Sequence, residues 1–103
     1  MTTRLAERRR NNRLPAAYPA TITDRQGRFL AKGRTTNISA HGTFVLAGGH
    51  ALEREQIVVI EMGIPVPGKP SQRRAVAFAC RIVRRQQIGQ LVGVGVEFLR
   101  KVR

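Results

Sequence analysis

Two short segments of this chain carry residue types that can do chemistry: Arg8-Arg9-Arg10-Asn11-Asn12-Arg13 near the start, and Asn37-Ile38-Ser39-Ala40-His41-Gly42 some two dozen residues later. An arginine can hold a phosphate through two parallel N–H donors, pair with O6 and N7 of a guanine, or lay its planar cation on a base. Two of them four residues apart, Arg9 and Arg13, can clamp one phosphorylated purine from two sides, with additional contacts from Arg8 and Arg10. In the second segment the Asn37 side-chain carbonyl can accept from a guanine N–H, Ser39 adds a small donor and acceptor, and Gly42 lets the backbone approach closely. The same three residue types also close ordinary turns between strands. Spacing alone decides little for the arginines, since Arg-x-x-x-Arg recurs at Arg4/Arg8 and Arg81/Arg85; Asn-x-Ser-x-x-Gly occurs once.

Catalysis finds no comparable set. A nucleophile, a base and a group to orient the base are needed, or else a metal. His41 and His50 are the only histidines, both in glycine-containing loops, and read as ordinary loop residues. Cys80 alternates with core residues and reads as a small buried hydrophobe. As the single cysteine it excludes an internal disulfide and a cysteine-based zinc site, and it fits a reducing compartment. The six acids are dispersed, with Glu53 and Glu55 the one close pair. No catalytic residues, metal or cofactor are assigned.

The elements that must position the two segments are strands. Tyr18, Ala20 and Ile22 alternate with Pro19, Thr21 and Thr23, and Asp24-Arg25-Gln26-Gly27 supplies a turn into a returning strand from Phe29 to Thr36. Gly42 to Leu46 and Gln56 to Met62 are apolar runs too short for helices. Gly63 to Pro70 reads as a turn dense in residues that cannot continue a ladder. Val76, Phe78, Cys80 and Ile82 then show a two-residue period, a turn lies near Gln87 to Gln90, and Val92, Val94, Val96 and Phe98 face one way against Gly93, Gly95 and Glu97. Those alternate glycines suit a sharply curved sheet, or close approach by another chain or ligand. Six short strands and no interior helix predict an all-β, six-stranded antiparallel barrel. Residues 1–14 form a flexible basic arm, residues 15–103 the barrel, and the last five residues are too few for an independent C-terminal helix.

Hydrophobic residues make up 42% of the chain, so most of it should fold despite a net charge of +13. With 16 Arg against 3 Lys, the excess favours anionic partners that reward a planar, bidentate cation. No apolar run reaches the 18 or so residues that span a bilayer, and no apolar stretch follows the basic start as in a secretory signal; the chain reads as cytoplasmic. A nucleotide-sensing module fits better than an enzyme. An RNA or single-stranded DNA binder remains the alternative, supported by a second basic group, Arg73, Arg74, Arg81, Arg84 and Arg85, and opposed by the scarcity of exposed aromatics for base stacking.

Over residues 7 to 99 the order of parts resembles the PilZ domains, bacterial receptors for the second messenger cyclic di-GMP. The resemblance lies in Arg9-x-x-x-Arg13 before the first strand, Asn37-Ile38-Ser39-Ala40-His41-Gly42 after a hairpin, and Val92-Gly93-Val94-Gly95-Val96-Glu97-Phe98 as the closing strand. It implies a barrel without enzymatic activity, with Arg9 and Arg13 on phosphate and guanine and with Asn37, Ser39 and Gly42 lining the other guanine contact. It also implies that the arm closes on the barrel as ligand enters and signals to a partner protein, the oligomeric state being left open. Arg8, just before the first motif arginine, resembles the type that binds a mutually stacked ligand pair. Two departures stand out: the family more often has Asp at the place of Asn37, and many relatives continue into a C-terminal helix. A relative that has lost ligand binding and serves only as a protein-interaction module is a further alternative.

Overall fold

The computed structural model describes residues 14–15, 17–48 and 52–102. Their strands are β1 (Leu14–Pro15), β2 (Pro19–Thr23), β3 (Phe29–Ile38), β4 (Gly42–Gly48), β5 (Ile57–Val66), β6 (Lys69–Ile88) and β7 (Leu91–Lys101). Six of them close an antiparallel ring in the order β3-β2-β5-β6-β7-β4, with β4 returning to β3. The expected six-stranded barrel is the fold, and no helix occurs among the described residues. None there is therefore long and apolar enough to cross a membrane.

The interior follows from the two-residue period. Ala20 and Ile22 of β2, Val45 and Ala47 of β4, Val58, Ile60 and Met62 of β5, and Val92, Val94 and Val96 of β7 all point inward and are buried. A six-stranded barrel is narrow, and Val, Ala and Ile fill it without large aromatics. Each such side chain contributes about 1.5–3 kcal/mol when fully buried. In the connection from β4 to β5, Leu52 is completely buried. That connection is pinned to β6: the Glu55 N–H donates to the Ile82 carbonyl (2.7 Å) and the Ile82 N–H to the Gln56 carbonyl (3.0 Å).

Turn chemistry accounts for the hairpins. Asp24 accepts from the N–H groups of Gln26 (2.8 Å) and Arg28 (2.9 Å) and from Arg28 Nε (2.9 Å), with Gly27 at φ 86° completing the turn. The Arg28 backbone bond foremost, then the Arg28 side chain and Gln26, hold the Asp24 carboxyl below its usual range. The segment Gly63 to Pro70, expected as a turn, is mostly strand. β5 runs to Val66, Pro65 pairs with Arg73, and only Pro67-Gly68 turns, with Gly68 at φ 76°. Beyond Met62, β5 pairs with β6 alone, and a ribbon with an open edge tolerates proline as a central strand would not. The other expected turn narrows to Gly89-Gln90, since Ile88 already pairs with Leu91. The chain end continues β7 to Lys101.

Cys80 is buried, as its alternation with core residues implied, and desolvation pushes its thiol up to about 12. At pH 8 the folded protein should resist alkylation by iodoacetamide and react only as it unfolds; modification of native protein within minutes would contradict this burial. Because the folded thiol titrates above the unfolded one, Cys80 also lowers stability progressively from pH 9 to about 12.

Candidate ligand-binding site

Two single-residue bulges aim the site. β3 and β4 pair in register to Thr35↔Val45 and resume at Asn37↔Phe44, leaving Thr36 as the extra residue. Thr35 points inward and is fully buried. Without the bulge Asn37 would take an inward phase; with it, Asn37 shares the outer face of Phe44. Likewise β6 pairs Ile82↔Val96 and then Arg84↔Gly95, so that Val83 is extra and Arg84 turns outward. The result is an outer row of cross-strand neighbours, Asn37, Phe44, Gly95 and Arg84, on β3, β4, β7 and β6.

Phe44 is the floor of that row. A Cβ on Gly93 would lie 2.4 Å from Phe44 Cζ, and one on Gly95 would lie 3.9 Å from Phe44 Cδ1. The group that approaches these alternate glycines is thus a ring from the neighbouring strand. The Arg84 guanidinium carbon stands 5.5 Å from the Phe44 ring centroid, a cation–π contact that holds an otherwise long and mobile side chain.

The turn between β3 and β4 is closed by Ser39. Its N–H donates to the Gly42 carbonyl (2.9 Å), and its hydroxyl accepts from the His41 N–H (3.2 Å) and donates to the Gly42 carbonyl (3.4 Å). The Phe98 N–H donates to the His41 carbonyl (2.7 Å) and ties the turn to β7. Thr43 Oγ1 donates to the Asn37 carbonyl from within. Among the described residues no hydrogen bond occupies the Asn37 side chain, which is exposed. Gly42 has a backbone reason of its own: a Cβ there would lie 2.0 Å from the Val96 carbonyl oxygen. The close approach that a side chain would block is to β7.

An outer-face cavity of about 790 Å³ lies against this turn. Asn37, Ser39 and Gly42 line it together, so the three expected residues of the second segment share one site. His41 lines it too, as do Val83, Arg84 and Glu97 from β6 and β7. His41 belongs to the turn itself, whereas Val83, Arg84 and Glu97 reach it only through strand register. Arg8, Arg9, Arg10 and Arg13, like His50, lie outside the described residues. β1, however, pairs Leu14↔Ile38 and Pro15↔Asn37, so the chain that bears these arginines joins the barrel at the rim of the cavity.

Several arginines of the second basic group have structural partners. Arg73 Nη1 donates to the Gly63 carbonyl (3.2 Å) and its guanidinium lies 5.9 Å from the Tyr18 ring centroid. Arg85 Nε donates to the Leu52 carbonyl (2.7 Å), fastening the β4–β5 connection. Arg81 Nη2 pairs with Glu97 Oε1 at 2.6 Å, while its Nε–H is buried without a partner among the described residues. That pair orients Glu97 at a desolvation cost.

The chain matches the PilZ domain over residues 7–102, a span that includes Arg9 and Arg13. It belongs to the PilZ domain family, a family of cyclic di-GMP-binding proteins whose domains are non-catalytic receptors. No curated protein matches it.

Proposed function

We propose that this protein is a cytoplasmic receptor that binds cyclic di-GMP in the outer-face cavity and signals by ordering its N-terminal arm. Arg9 and Arg13 contact phosphate and guanine, with Arg8 and Arg10 beside them; Asn37 and Ser39 face the base across the turn that Gly42 closes. The observation that carries this reading is the pairing of Leu14 and Pro15 with Ile38 and Asn37, which brings two segments remote in sequence to one cavity rim. The clustered like charges of Arg8, Arg9 and Arg10 repel one another when free, and a dianionic ligand offsets that repulsion while supplying acceptors. An arm ordered in this way presents a different surface to a partner protein.

Isothermal titration tests the reading. Saturable heat with cyclic di-GMP, undiminished when GMP is already present, is the expected result; no saturable heat at low salt would overturn it. The oligonucleotide-binding alternative rests on fewer free cations than the sequence suggests, because Arg73, Arg81 and Arg85 each spend one guanidinium nitrogen on a partner in the protein. It predicts instead a steep salt dependence with no base preference.

A further inference from the structure

Resting on the reading of the cavity as a cyclic di-GMP site, we infer that Glu97 is a guanine-recognising residue, supplying the carboxylate acceptor that Asn37 does not. The Watson–Crick edge of guanine offers two adjacent donors, N1–H and N2–H, beside one acceptor, O6. A carboxylate answers both donors at once, whereas an amide presents one acceptor and one donor group. Asn37 alone therefore leaves part of that edge unmatched.

Among the described residues Glu97 is the only carboxylate that lines the cavity. It pairs with Gly42 across β4 and β7, at the closing residue of the turn. Gly42 has no side chain to stand between them. Asn37 lies on β3, two strands from Glu97, and strands are about 4.8 Å apart, so about 10 Å separates the two backbones laterally. That span admits the edge of one base between two side chains. Arg81 grips Glu97 Oε1 at 2.6 Å from the far side, yet the Glu97 side chain is still 46% exposed. The arginine fixes the direction of the carboxylate and offsets its charge against an anionic ligand. In this arrangement the Asn37 amide NH2 donates to O6 and the Glu97 carboxylate accepts from N1–H and N2–H, so donors and acceptors match along the whole edge.

The bland reading of Glu97 is a cross-strand ion pair with Arg81, and the experiment separates the two. Calorimetry compares cyclic di-GMP with cyclic di-IMP, which lacks the N2 amine, on the full chain and on Glu97→Gln and Arg81→Gln. Wild type should prefer cyclic di-GMP by about tenfold or more, the scale of one bidentate base contact. Glu97→Gln should bring the two ligands within about threefold of each other, whereas Arg81→Gln, which removes the positive charge but leaves an amide able to donate to the carboxylate, should retain the preference. An unchanged preference in Glu97→Gln, or its equal loss in Arg81→Gln, would overturn the assignment while leaving the receptor reading intact. If wild type binds neither ligand, the receptor reading fails and this inference with it.

Discussion

Gly42→Ala is expected to lower the stability of the ligand-free protein by on the order of 3 kcal/mol, a fall of about 15 °C in Tm for a domain of this size. Gly42 is not among the residues with positive φ, so conformational freedom is not the issue. The obstacle is the Val96 carbonyl oxygen, 2.0 Å from where the new methyl would sit, with the Val96 carbonyl carbon at 3.1 Å and Glu97 Cα at 3.3 Å. These are backbone atoms, which cannot swing aside as the end of a side chain can. Relief requires β4 to lift from β7 at Gly42↔Glu97, and the bond from Phe98 N–H to the His41 carbonyl spans that junction. Gly48→Ala is the control, because its nearest neighbour would be Leu91 Cδ2 at an ordinary 3.8 Å. Urea and thermal melts of both variants decide the matter: a Gly42→Ala protein within about 1 kcal/mol of wild type would mean that the strands are not so close. The prediction also warns that lost ligand binding in a Gly42 variant does not by itself identify a ligand contact.

Replacing Arg9 and Arg13 together by alanine should weaken cyclic di-GMP binding by at least about 100-fold, since hydrogen bonds to charged groups contribute roughly 1.5–3 kcal/mol each. The Tm without ligand should change by less than about 5 °C, since a role confined to the ligand leaves the fold's own stability within about 1 kcal/mol. Arg8 and Arg10 remain in this variant, so a general attraction for anions persists; a loss of only about threefold would show that charge, not position, holds the ligand. Lysine at both positions sharpens the distinction. It keeps the charge and removes the planar fork, and most of the loss should remain if the fork is what recognises the ligand.

The strands were readable from the sequence wherever one face met the core, as in β2, the middle of β6 and most of β7, because burial imposes the two-residue period directly. The ribbon through Gly63 to Val66 was not readable. Proline and glycine signal an interrupted ladder, and nothing local shows that β5 has lost its second neighbour there. The bulges at Thr36 and Val83 leave no compositional mark either, though they decide which way Asn37 and Arg84 face. Of the site, Asn37, Ser39 and Gly42 stood out through a spacing that occurs once, yet nothing local showed that Gly42 also lies against the Val96 carbonyl. Glu97 belongs to the cavity only through the pairing of β4 with β7, between residues some fifty apart, which no local pattern encodes.

The two-residue strand β1 sets a tether. Whatever path the preceding residues take, Arg13 is one peptide unit from Leu14 and cannot stray more than about 4 Å from it between Cα atoms, while Arg9, five units away, ranges over about 18 Å. Leu14 is fixed opposite Ile38. In the proposed receptor the chain length alone therefore keeps both arginines of the motif at local concentrations of the millimolar order about the cavity rim. There one would work on a short leash that sets position, the other on a long one that permits capture. Lengthening the chain between Arg13 and Leu14 would dilute both at once, whereas lengthening it between Arg9 and Arg13 would dilute only the second.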